Sequence, residues 1–240
     1  MKKFWNWVKS PSNDGDTETS KLYLNGPIAD ETWWGDEITP EQFRLELEAH
    51  AGDIEVWINS PGGDVFAAAQ IYDMLMEHKG HVKVMIDSLA ASAASVIALA
   101  GTEVLISPPG MIMIHNPATG AWGDHTEMQK AIDVLNEVKE SIINAYQLKT
   151  GMSRQKLARL MDDETWMNAR KAVELGFADK IAFSNNGNER EAEDAVMFGN
   201  KSFNQKVINK ASSFRHVTSK HGTAKADKYY DRLYALRANF

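Results

Sequence analysis

Ser92 and His115 are the two residues whose types and settings point most directly to chemistry. Ser92 lies in Ala90-Ala-Ser-Ala-Ala94, where a strand-like region passes into an apolar helix. A nucleophilic serine needs a sharp exposed turn, a histidine in reach, a carboxylate to orient that histidine, and amide donors for the oxyanion. Flanking alanines let a substrate backbone approach closely, and a helix N-terminus adds partial positive charge that favours alkoxide and oxyanion alike. The competing reading is that Ser92 merely caps the helix, as small serines often do. Ser88 and Ser95 are rivals: the first precedes the small-residue turn, and the second falls one turn inside the helix, where substrate approach is poorer.

His115 closes an apolar strand, Met111-Ile-Met-Ile114, and precedes Asn116-Pro117, which puts it at the rim of a cleft or in a hydrogen-bonded structural role. Asn59-Ser-Pro-Gly-Gly63 comes after another short apolar strand. Paired glycines there permit positive φ and leave amides unobstructed, as an oxyanion site requires, although an ordinary strand-to-helix turn has the same composition. His78 and His81 flank a Lys-Gly turn and show no carboxylates at metal-ligand spacing, so no metal site and no cofactor is expected. His125, His216 and His221 lie in polar surroundings.

The elements that must position these residues alternate. Strands are expected at 21–25, 54–58, 82–86, 104–106 and 111–114. Helices are expected at 39–50, opened by Thr39-Pro40 with Gln42 in the capping position, and at 65–78. An apolar helix ends near Gly101, and shorter ones occupy 154–161 and 169–175. Strand and helix in alternation imply an α/β fold with parallel pairings made by right-handed crossovers. From Asp124 to Lys149, Met128, Ile132, Leu135, Val138, Ile142 and Tyr146 recur at steps of three and four, and Gly151 ends the run. Such a helix spans roughly 37 Å at 1.5 Å per residue, long enough to project and pack on a partner subunit.

Composition bounds the rest. The chain has 240 residues, 43% hydrophobic and 25% charged, which suits one sizeable core with extensions. It has no cysteine, which excludes disulfides, thiolate metal sites and cysteine nucleophiles. The apolar stretch near the N-terminus is too short and interrupted for a signal-peptide core, and no window approaches a membrane span. A soluble, cytoplasmic protein is expected. Residues 1–20 read as a polar, irregular extension, 21–183 as the main domain, and 184–240 as a basic extension, partly helical or disordered. From Ala195 to Phe240 there are nine Lys or Arg against two Asp or Glu; the remainder holds 17 against 31, so a +7 tail succeeds a −14 body. Such a tail is either simply solvated or binds an acidic partner or nucleic acid.

Taken in order, Ile58-Asn-Ser-Pro-Gly-Gly63, Ala90-Ala-Ser92, Met113-Ile-His115-Asn-Pro117 and Trp166 through Ala172-Val-Glu-Leu-Gly176 resemble the Clp-protease proteolytic subunit. The resemblance covers about Leu22 to Ile181. The interval from Gly63 to Ser92 is similar to the family's, and that from Ser92 to His115 is about two residues shorter. The resemblance implies the spiral of ββα units shared by Clp proteases and crotonases, with a long protruding handle helix. It implies a serine endopeptidase in which Ser92 is the nucleophile and His115 the base, with the amides of Gly63 and Ala93 as oxyanion donors. The family's aspartate position holds Glu164, with Asp163 in reserve; one more methylene still lets a carboxylate orient a histidine. Gly120, Ala121, Trp122 and Gly123 match a glycine-rich strand that pairs with extended substrate and helps rings dock. Partners implied are peptide or protein substrates and further copies of the chain in a ring or stacked rings.

The chain departs from the family's usual pattern at Ser88, where glycine is usual, and at Ala93-Ala94, where Met-Gly is usual. Its N-terminal segment does not resemble the family's axial loops, and residues 184–240 have no counterpart. These departures look more like the Clp-type head-maturation proteases of tailed bacteriophages, which cleave scaffold and capsid protein in the immature head within the host cytoplasm. In that setting the basic tail would contact capsid or DNA. Alternatives are a housekeeping subunit working with an ATPase, a crotonase-like acyl-CoA enzyme, and a catalytically silent ring component. The chain has no Gly-x4-Gly-Lys-Ser/Thr loop and so no ATPase motif of its own.

Overall fold

The computed structural model describes residues 4–11, 18–28 and 40–183. Thr39 and the basic segment read as 184–240 lie outside the described residues.

Among the described residues eight strands form one mixed sheet, six of them in the order β1 (Trp5–Pro11), β2 (Glu18–Asn25), β3 (Ile54–Ser60), β4 (Val82–Ala91), β5 (Glu103–Ile106) and β8 (Lys180–Ile181). The remaining two, β6 (Met111–Ile114) and β7 (Thr165–Asn168), branch off where β6 pairs with β4. The pairings of β2 with β3, of β3 with β4, and of β4 with β5 and β6 are parallel, as the alternation of strand and helix predicts. The helices are α1 (Pro40–Glu48), α2 (Val65–Met76), α3 (Ala93–Ala98), α4 (His125–Thr150), α5 (Arg154–Asp162) and α6 (Ala169–Glu174).

The expected irregular chain over residues 1–20 is corrected by β1, which pairs antiparallel with β2 from Trp5 against Leu24 to Pro11 against Glu18. Aromatic residues suit a half-buried pleated surface. Phe4 and Trp5 are buried, Trp5 meets Phe43 edge to face at 5.4 Å, and Trp7 stacks on His50 at 4.0 Å. The strand therefore belongs to the core and not to an extension.

Two features of the sheet position the site. Strand β4 runs five residues beyond the expected Ile86 and changes neighbours on the way. Lys83–Ile86 pair with β5, whereas Leu89–Ala91 pair with β6. Against β3, the register moves from Ile58–Ile86 to Ser60–Ala90, so β4 advances four residues while β3 advances two. A bulge of this kind bends a strand and re-aims the residues beyond it. Here it delivers the end of β4 to the end of β6.

Helix α3 is buried along its whole length, consistent with its small apolar residues. Helix α4 is capped by Asp124, whose Oδ1 accepts from the amides of Thr126 and Glu127, and ends at Gly151 in the left-handed region. Only Ile143 and Tyr146 of its 26 residues are buried, both near its C-terminal end. Ile132 and Val134, half a helix earlier, are 51% and 56% exposed. Its apolar stripe is thus buried at the base and open further out.

Candidate active site

Ser92 comes directly after β4 and precedes α3, and its backbone is left-handed at φ 53°, ψ −126°. Outside glycine such a conformation costs about 1–3 kcal/mol and persists only where surroundings enforce it. The Ser92 amide donates to Met113 O at 2.8 Å, which ties the turn to β6. Its side chain makes no capping bond to α3, so the capping role considered from sequence is not the one it fills. Instead Ser92 Oγ and His115 Nε2 lie 2.7 Å apart. The β4–β6 pairing accounts for this: Ala91 stands opposite Met113, which leaves Ser92 one residue and His115 two residues past the last pair, at the same end of the two strands.

The glycine turn packs on the same point. Ser60 Oγ donates to Gly26 O at 2.6 Å and accepts from the Gly62 amide at 3.1 Å, which sets the turn after β3. A Cβ at Gly62 would fall 2.8 Å from Ser92 Cβ, and one at Gly63 would fall 1.9 Å from Ile28 O. Both glycines have positive φ, 90° and 154°. Side chains are therefore excluded twice over at this turn, by space and by backbone conformation. Ile28 donates to Gly62 O and accepts from Asp64, and its bridge leaves the Gly63 amide unused. Ala93 is the first residue of α3, so its amide has no acceptor within the helix. Gly63 and Ala93 thus carry amides of the kind an oxyanion needs, next to Ser92.

The carboxylates are arranged differently. In the antiparallel β6–β7 ladder the last pair is Ile114 with Thr165, so His115 and Glu164 are the next residues on the two chains. Glu164 is left-handed at φ 46°, one of three non-glycine residues with positive φ among the described residues, alongside Ser92 and Phe183. Its Oε1 accepts from Trp166 Nε1 at 3.2 Å. Asp163 caps the C-terminus of α5, with its amide donating to Arg159 O. Neither residue hydrogen-bonds to His115, whose ring bonds only Ser92 among the described residues. The neighbouring carboxylate that is engaged is Asp162, which the sequence places close to the acid position but behind Glu164 and Asp163. Its Oδ1 accepts from Lys139 Nζ at 2.5 Å and from Asn116 Nδ2 at 2.9 Å, bonds that hold its carboxyl below the ordinary range. No local pattern marks this link, because its three residues come from α4, α5 and the loop after β6.

The rival serines separate cleanly. Ser88 is exposed on the bulge of β4. Ser95 is 1% exposed and bonded within the fold, so it offers no nucleophile to a substrate. The segment Gly120, Ala121, Trp122, Gly123 forms no strand in this structure; Trp122 is 84% exposed and Gly123 leads into Asp124, the cap of α4.

Comparison with known proteins is consistent with this geometry. Residues 17–185 match the family model described as Clp protease. The chain is 30% identical over 173 residues to the ATP-dependent Clp protease proteolytic subunit 1 of Chlamydia muridarum (strain MoPn / Nigg), covering 70% of this chain and 89% of that protein.

Proposed function

The chain belongs to the Clp protease family, and on that premise we propose that it is a serine endopeptidase working through Ser92, His115 and Glu164. The observation that carries the reading is the 2.7 Å approach of His115 Nε2 to Ser92 Oγ across the β4–β6 junction. A neutral His115 accepts the Ser92 proton at Nε2 as Oγ attacks the scissile carbonyl, and the tetrahedral oxyanion is met by the amides of Gly63 and Ala93. His115 then returns the proton to the leaving amine. Water, deprotonated by the same ring, hydrolyses the acyl-serine and restores the enzyme. Glu164 orients His115 through Nδ1 once its carboxylate turns from Trp166; its place across the β6–β7 ladder supports that role, with Asp163 as reserve. Substrate binds extended beside Gly120–Gly123, whose exposed backbone suits a peptidase that reads main chain more than side chain.

Within the family, the finer assignment is a phage head-maturation protease assembled as a ring, cleaving scaffold or capsid protein, with the basic tail contacting capsid or DNA. What supports it is the set of departures at Ser88 and Ala93-Ala94 together with the +7 segment from Ala195 onward. The name of the Chlamydia relative favours a second reading, in which an ATPase partner feeds the chamber. Covalent labelling by a fluorophosphonate tests the core of the proposal. Wild type is expected to be labelled at Ser92 and to cleave casein or scaffold protein, and Ser92→Ala to do neither. Equal cleavage by both would remove the triad. Stimulation of casein cleavage by an added Clp ATPase would favour the second reading over the phage one.

A further inference from the structure

Behind Ser92 lies a buried polar chain that the proposed chemistry does not use. Ser95 Oγ donates to Ser92 O at 2.6 Å, and Tyr146 OH lies 2.8 Å from Ser95 Oγ. A serine hydroxyl carries one proton, and that of Ser95 is committed to Ser92 O, so Tyr146 must be the donor to Ser95. The order is therefore Tyr146 O–H to Ser95 O–H to the Ser92 carbonyl. Both side chains are 1% exposed, and burial raises the Tyr146 pKa well above its ordinary value, so it remains a neutral donor.

This chain has a cost that packing alone does not explain. Ser95 sits in a six-residue helix whose other members are Ala93, Ala94, Val96, Ile97 and Ala98, all buried. Tyr146 packs edge to face on Phe177 at 5.3 Å, a contact that phenylalanine would make as well. Burying two hydroxyls among apolar neighbours is unfavourable unless each is bonded, and the line of bonds ends on one atom, Ser92 O. That carbonyl also accepts from the Ser95 amide at 2.9 Å, and the Ser92 amide is held by Met113 O. Both faces of a left-handed peptide are thereby fixed.

We infer that Ser95 and Tyr146 are positioning residues that hold the Ser92 carbonyl and so keep the turn in its left-handed conformation, with Oγ aimed at His115. The inference rests on the reading of Ser92 as nucleophile and deepens it. Tyr146 is also one of the two buried residues of α4, so the turn hangs from the base of the same helix whose outer half stands open. With the hydroxyls removed, the peptide relaxes toward ordinary φ and Oγ swings away from Nε2. Proton transfer then suffers, while the cleft that binds the peptide is left as it was.

The test uses the full chain as wild type, Tyr146→Phe, Ser95→Ala and the double variant. The readouts are the rate of fluorophosphonate labelling at Ser92, kcat and KM on a peptide substrate, and the urea midpoint. Each single variant is expected to lower labelling rate and kcat by about tenfold, a typical penalty for a slightly misplaced reacting group, with KM unchanged. The double variant should be no slower than Ser95→Ala, because the two act in one line. A purely structural pair would shift the urea midpoint and leave labelling and kcat of the folded protein alone; that outcome overturns the inference. Multiplying effects in the double variant also overturn it. Wild type that never labels at Ser92 removes the nucleophile reading and this inference with it, whereas equal labelling in wild type and variants removes the inference alone. Should Tyr146→Phe fold poorly, Ser95→Ala, which deletes a single oxygen, decides the matter.

Discussion

His115 is held very differently on its two sides. Toward Ser92, strand pairing does the positioning: the β4 bulge, the β4–β6 ladder and the Ser92–Met113 bond bring Oγ to 2.7 Å from Nε2. Toward Glu164, the β6–β7 ladder stops one residue short, at Ile114 and Thr165, and the Glu164 carboxylate rests on Trp166. Meanwhile Asp162, two residues earlier, is tied to Asn116 beside His115 and to Lys139 on α4. Sheet geometry alone brings the Ser92 and His115 side chains together within a single chain. On the other side lies the turn between α5 and β7, where the Glu164 carboxylate bonds Trp166 and not His115. A short antiparallel ladder specifies where backbones go and leaves terminal side chains free to choose.

The largest effect should come from breaking the preformed side. Replacing His115 with alanine removes the ring that Ser92 Oγ bonds, and kcat is expected to fall by about four to six orders of magnitude, as for removal of a member of an acting unit. The urea midpoint should barely move, since both residues are only partly buried. A fall of less than about a hundredfold would mean that the 2.7 Å contact is incidental. Gly63→Ala attacks the same side through the backbone. The added Cβ meets Ile28 O at 1.9 Å, with φ at 154°, so a loss of about 3 kcal/mol in urea-derived stability is expected, together with activity. Unchanged stability would show that the turn can shift.

The open side is sharpened by carboxamides. Glu164→Gln should lower kcat by about 10²- to 10⁴-fold, while Asp163→Asn stays within about threefold of wild type. Measured kcat on one peptide substrate separates them, and the reverse order would hand the acid's role to Asp163. An intermediate loss in both would point to a carboxylate shared at that turn.

The same contrast governs how much of the molecule is legible in its sequence. Ser92, His115 and the glycine pair each look ordinary alone, and it is their order along the chain that points to one cleft. Parallel pairing and the long helix are readable from the alternation of strand and helix and from the three-and-four spacing between Met128 and Tyr146. Strand β1 is not, because two lysines ahead of a short aromatic run resemble a failed leader more than a pleated edge, although Trp5, Trp7 and Val8 have the residue types strands favour. The extension of β4 past Ile86 is hidden by the small polar run Asp87-Ser88, which carries no period; pairing with β6, and of Ala90 with Ser60 of β3, makes it a strand. Ser95 reads as a rival nucleophile, since its partner Tyr146 lies 51 residues away and no local pattern joins them. The bonds of Asp162 are hidden for a similar reason, since Asn116 and Lys139 come from other parts of the chain.

The smallest effect concerns Asp162, and it bears on whether the open side is stiffened from outside. The Lys139 bond first, and the Asn116 bond after it, hold the Asp162 carboxyl below its ordinary 3.8 in the folded chain. A depressed folded value means that the charged form is favoured by folding. Its contribution is therefore present at pH values above the unfolded value and is lost as pH falls through the folded one. Asp162 lies at the surface, where water screens such pairs, so the contribution is small. Asp162→Asn is expected to be slightly less stable than wild type near neutrality in urea titrations, with the gap closing as the medium is acidified below about pH 4. A gap that persists into acid would show that the carboxylate's charge is not what Asn116 and Lys139 recognise. Because Asn116 is the residue after His115, activity adds a second reading. If Asp162 steadies the loop that follows His115, its loss should raise KM and lower kcat by no more than about threefold each, a loosened element rather than a missing group. A loss as deep as that of Glu164→Gln would instead make Asp162 the acid, and the open side of His115 would then be closed through Asn116.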